Sequence, residues 1–110
     1  MFDEEGMVLC GASVYTQKYY LNENFDGLPE GIKEELKIIC VLYTEDVGGT
    51  IRLVFDEDGK LEIVVDHEED DILFDEIGSA LKVKQMRREK AELFEAMEMY
   101  YRIFFLGEDE

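Results

Sequence analysis

A chain of 110 residues with 46% hydrophobic and 12% aromatic side chains has material for one core and too little for two. Its 28 acidic and 11 basic residues give a formal net charge of −17, a field that repels phosphate backbones and anionic bilayers and speaks against nucleic acid or membrane as partners. No apolar run approaches the roughly 20 residues needed to span a bilayer, and the start Met1-Phe2-Asp3-Glu4-Glu5 is acidic where a secretory leader is basic, so a cytoplasmic location is expected.

Val14, Tyr15, Thr16, Tyr19 and Tyr20 are strand formers, and the turn-rich Asn22-Glu23-Asn24 follows them; a strand is expected over 13–21, with a further strand near 7–10. Pro29 suits the first position of a helix. Ile32, Leu36, Ile39, Tyr43 and Val47 then recur at helical spacing, and Gly48-Gly49 supplies the stop, which predicts a helix over 29–47. The extra apolar residues around Ile38-Ile39-Cys40-Val41-Leu42 predict burial of that helix on more than one side.

Thr50–Phe55 and Lys60–Val65 are short runs of strand formers joined by Asp56-Glu57-Asp58-Gly59, and they predict an antiparallel hairpin. Ile51, Leu53 and Phe55 share one face, as do Leu61, Ile63 and Val65. After the acidic run Asp66–Asp71 the pattern reads as a long helix over 72–105, with Gly78-Ser79 as the place where it would break. An unbroken helix of that length spans about 45 Å, more than a small domain is wide.

The candidate sites are few. Asp56-Glu57-Asp58-Gly59 suggests a calcium loop, but a register with Gly59 at the sixth position puts Val54 first and Val65 where a bidentate glutamate belongs, so a plain turn is the better reading. His67, the only histidine, lies among carboxylates that favour its charged form, yet a metal site needs several converging ligands, and none is assigned. Cys10 and Cys40 both sit in apolar runs and read as buried free thiols. A bridge between them requires Cα atoms within about 7 Å. Cys10 with His67 is the sole nucleophile–base pair available, and the apolar setting of Cys10 works against it. Gly48-Gly49 follows a helix and so lacks the helix N-terminus of a phosphate loop. No catalytic, cofactor-binding or metal site is therefore assigned.

Lys82, Lys84, Arg87, Arg88 and Lys90 form the basic cluster of the chain; helical spacing pairs Arg88 with Glu92 and Glu98 with Arg102. The run Tyr100-Tyr101-Arg102-Ile103-Phe104-Phe105-Leu106 has more large apolar side chains than one helix face can bury. Most of these are expected in the core, and the remainder form the candidate interface, drawn from Phe94, Met97, Tyr101, Phe104 and Phe105.

The chain resembles a family of small, uncharacterised acidic proteins from clostridial Firmicutes, a domain of unknown function. The resemblance is carried by Leu9-Cys10-Gly11-Ala12, Lys18-Tyr19-Tyr20, Glu35-Leu36-Lys37-Ile38, Tyr43-Thr44-Glu45-Asp46-Val47-Gly48-Gly49 and Tyr100 to Gly107. It implies a bacterial cytoplasmic origin and brings no activity. The sequence thus predicts a single α+β domain over 1–110, with short acidic tails at 1–6 and 107–110. An antiparallel sheet of three or four strands with a central hairpin would pack against two helices, the C-terminal one long. The expected function is a non-enzymatic interaction module or homodimer, with self-association or a basic protein as partner. The alternative is an acidic mimic of nucleic acid that occupies a basic surface.

Overall fold

The computed structural model describes residues 6–108, together with the backbone of Phe2–Asp3. Of the expected acidic tails, Met1, Glu4, Glu5, Asp109 and Glu110 lie outside these residues, while Phe2–Asp3 and Gly6 belong to strands. Five strands form one antiparallel sheet: β1 (Phe2–Asp3), β2 (Gly6–Ser13), β3 (Lys18–Leu21), β4 (Thr50–Phe55) and β5 (Leu61–Asp66). Strand β2 is the hub. It pairs with β4 along one edge, while β1 and β3 share its other edge at opposite ends. Strand β5 closes the far side through the β4–β5 hairpin.

The hairpin forms as its sequence requires. Gly59 takes φ +86°, its N–H reaches Asp56 O at 3.0 Å, and Asp56 Oδ1 accepts the N–H groups of Asp58 and Lys60 at 2.9 Å each. Residues 13–21, expected as one strand, are instead the end of β2, a four-residue turn and β3. Ser13 Oγ accepts from Tyr15 N–H at 3.1 Å, and Gln17 takes a positive φ of 54°, so local hydrogen bonding at Ser13 folds a stretch of good strand formers back on itself.

Three α-helices pack on one face of the sheet: α1 (Glu30–Val47), α2 (Glu76–Glu89) and α3 (Ala91–Phe104). A single 3-10 turn at Glu23–Phe25 places Phe25 in the core. Helix α1 ends at Gly48-Gly49, both at positive φ; a Cβ on Gly49 would lie 2.4 Å from Asp66 O and 2.8 Å from the Phe74 ring. The expected long helix over 72–105 is two helices, and the break falls at Lys90 where Gly78 was expected. Gly78 is instead held in the first turn of α2, its N–H capped by Asp75 Oδ1 at 2.8 Å. Lys90 leaves helical geometry with φ −111° and ψ 24°, while its Nζ holds Glu35 Oε2 at 3.1 Å. Fourteen residues span about 21 Å, which fits the 27 and 23 Å short dimensions of the molecule, whereas one unbroken helix would overrun them.

The core joins Leu36, Ile39, Cys40 and Tyr43 of α1 to Cys10, Ile51, Leu53 and Phe55 of the sheet, and to Phe94, Met97 and Tyr101 of α3. Burying each such side chain contributes about 1.5–3 kcal/mol. Its centre is an aromatic stack: Phe55 and Tyr101 lie 4.2 Å apart at 5°, and Phe25 and Phe105 close on them at 5.7 and 5.2 Å respectively.

Candidate interaction surface

The residues singled out in the C-terminal helix have different places. Phe94, Met97 and Tyr101 are buried, Phe105 is half-buried against the stack, and Phe104 alone is exposed, at 70%. Tyr101 sits opposite Phe55 because α3 is held along β5: Glu98 Oε2 accepts Leu61 N–H at 2.8 Å. Burial raises the pKa of the Tyr101 hydroxyl. What α3 leaves outside is Phe104 with Met99 and Leu106.

A second exposed apolar surface lies on α2, which the sequence reading had passed over. Ile77, Leu81, Lys84 and Arg88 follow one another at spacings of four, three and four, and so form one row on the helix. All four are exposed, with Ile77 at 77% and Leu81 at 62%. The opposite row, Ser79 and Met86, is buried and fixes α2 against α1; Ser79 Oγ shares a 2.6 Å hydrogen bond with the hydroxyl of Tyr43. Just before α2, Ile72 and Leu73 stand 92% and 87% exposed in the turn that follows the acidic run. On the neighbouring helix, Ile38 and Leu42 are also exposed and wall a groove of about 260 Å³, whose other wall is Lys82, Gln85 and Glu89.

The charges around this surface are arranged in sequence order. Residues 66–71 hold the acids, and a network fixes them: the Tyr15 hydroxyl donates to Asp71 Oδ2 at 2.5 Å and accepts Glu68 N–H at 2.9 Å. The Tyr15 hydrogen bond holds the Asp71 carboxyl below its ordinary pKa. His67 stacks on Phe74 at 4.3 Å, and its Nε2 is 4.0 Å from Glu76. At the other end of α2 lie the cations. Lys82 pairs with Asp46 at 2.7 Å and Lys90 with Glu35, whereas Lys84 and Arg88 have no ion pair among the described residues. The expected pairs Arg88–Glu92 and Glu98–Arg102 do not form there: Glu98 is taken by Leu61, and Arg102 Nε lies 3.6 Å from Glu108.

The other candidate groups stay apart from one another. Cys10 and Cys40 are buried free thiols with Sγ atoms 3.9 Å apart across the β2–α1 interface. The contact with Cys10 and burial push the Cys40 thiol well above its ordinary pKa, so the Cys40 sulfur is packed as a neutral group. The hydroxyl of Tyr19 is buried beside the Cys10 thiol, with no well-formed hydrogen bond among the described residues, and burial raises its pKa. The contacts of His67 are Glu68, Phe74 and Glu76, and those of Cys10 lie in the core, so the nucleophile–base pair is not assembled. Among the described residues no three His, Cys, Asp or Glu side chains converge as a metal site would need, and no helix is long and apolar enough to cross a membrane.

A family model, described as a family of unknown function (DUF6145), matches residues 6–109, and the chain belongs to that family. No curated protein and no solved structure matched the chain.

Proposed function

We propose that this member of a family of unknown function is a non-enzymatic protein–protein interaction module, bound through the outward row of α2 and the adjoining edge of α1. One observation carries the reading: Ile77 and Leu81 stand exposed on one row of α2, Ile72 and Leu73 in the turn just before it, and Ile38 and Leu42 on α1 across a groove from Lys82 and Gln85, although the rest of the chain closes a well-packed core. Exposed apolar patches of this kind, rimmed by charge, mark contact surfaces. The C-terminal helix, which carries the interface residues expected from the sequence, spends Phe94, Met97 and Tyr101 on the core and offers Phe104 as a minor addition. The surrounding acids keep the free protein dispersed and select against wrong partners, a role suited to the cytoplasm. The mimic reading is weaker at this face, because the unpaired cations of α2 sit beside it.

The test is the size of the protein in crude extract of the cells it comes from, by gel filtration with immunodetection. The native protein should elute well above its 12.8 kDa chain mass, and Leu81→Lys should return it to that mass while keeping a native circular dichroism spectrum. Elution of the native protein at 12.8 kDa would overturn the reading.

A further inference from the structure

We propose that a second copy of this chain covers the surface, the two α2 helices packing antiparallel about a two-fold axis between Ile77 and Leu81. This rests on the interaction reading above and names the partner. Three kinds of group follow one another along the same stretch: the acids Glu68 to Asp71, the exposed aliphatics Ile72, Leu73, Ile77 and Leu81, and the cations Lys84 and Arg88, which have no ion pair among the described residues. That order is self-complementary in one orientation. With the helices antiparallel, the aliphatics meet across the axis, and the acidic end of each copy faces the basic end of the other. With the helices parallel, acids would oppose acids and cations would oppose cations.

Counted along the chain, Asp70 and Arg88 lie on either side of the midpoint of Ile77 and Leu81 at equal separation, so acids precede and cations follow the apolar centre. The supply of cations points the same way. In a chain with 28 acids, Lys84 and Arg88 have no ion pair among the described residues and so remain available to the acidic run of another copy. The apolar centre provides the affinity, and the charged arms fix the orientation.

The test is sedimentation equilibrium on four proteins, each first shown by circular dichroism to be folded with native helix content. The native protein should sediment at twice 12.8 kDa, and Leu81→Lys at 12.8 kDa. The pairs Glu69→Lys with Asp70→Lys, and Lys84→Glu with Arg88→Glu, place like charges across the axis. Each should weaken self-association by about ten-fold or more. Glu69 and Asp70 are exposed, which leaves the Tyr15–Asp71 hydrogen bond intact. Mixed together, the two charge-reversed proteins should form a heterodimer, because both arms are then complementary again. A mixture no heavier than its separate components would overturn the inference. So would a native protein that stays at 12.8 kDa at every concentration. If that monomer still elutes as a larger, Leu81-dependent species in crude extract, the two-fold pairing fails and the interaction reading survives. If it elutes as the single chain there too, both fail.

Discussion

Helices α2 and α3 are each 14 residues long, separated by one residue, and used in opposite ways. Helix α3 is the more apolar by sequence and turns its bulk inward, with Leu93, Phe94, Met97 and Tyr101 buried. Helix α2 is crowded with charge, buries only Ser79 and Met86, and holds Ile77 and Leu81 out to solvent. The lesson is that a dense apolar run in a small domain is first of all core, because there is little other material to build one from. A pair of aliphatics on a charged helix has no such claim on the core, and its exposure carries more information.

Substitutions can sharpen this contrast, beginning with the largest effect. Tyr101→Ala removes a side chain stacked on Phe55 and Phe105 and should cost about 3–5 kcal/mol of stability in denaturant unfolding. An effect near that of a surface change would mean that α3 is not the core helix. Next comes the joint between α1 and α2. Tyr43→Phe leaves the Ser79 hydroxyl buried without its 2.6 Å partner and should cost about 1–3 kcal/mol. Asp75→Ala removes the cap on Gly78 N–H and should cost about 1 kcal/mol, which thermal melts would read.

The smallest effect on stability is expected at the proposed contact itself. Measured at concentrations low enough to keep the protein monomeric, Ile77→Lys should change the unfolding free energy by no more than about 0.5 kcal/mol, as for other exposed positions. A large loss would place Ile77 in the fold and remove it from the contact surface. The acidic turn adds a pH test. Asp71 has a lowered pKa in the folded state, chiefly through the Tyr15 hydrogen bond. Its contribution is therefore complete above the unfolded value near 3.9 and is lost as the pH falls through the lower folded value. Tyr15→Phe should melt below the native protein at pH 7, and the gap should narrow under acid conditions below about pH 4. A gap independent of pH would show that Tyr15 acts by packing.

Much of the fold was legible in the residues. The 50–66 hairpin follows from alternating strand formers around Asp56-Glu57-Asp58-Gly59, and α1 begins within one residue of its expected start and ends where its glycines place it. The misreadings share a cause. The fold-back after Ser13 depends on one hydroxyl and a positive φ at Gln17, and the break at Lys90 on a contact with Glu35 far along the chain. Neither leaves a glycine or proline to announce it. The candidate surface was hidden for a related reason. On α2, Ile77 and Leu81 recur at the same spacing as a buried row would, and only the position of α1 against Ser79 and Met86 decides which row faces water. Leu73 and Ile77 ahead of Leu81, at steps of four, were the available signal.

The most direct test sets the two helices against each other by sedimentation equilibrium of the native protein, Leu81→Lys and Phe104→Lys. The account predicts that Leu81→Lys falls to 12.8 kDa while Phe104→Lys keeps the native mass. A Phe104→Lys protein that falls to the single chain while Leu81→Lys keeps the native mass would contradict it and return the interface to the end of α3.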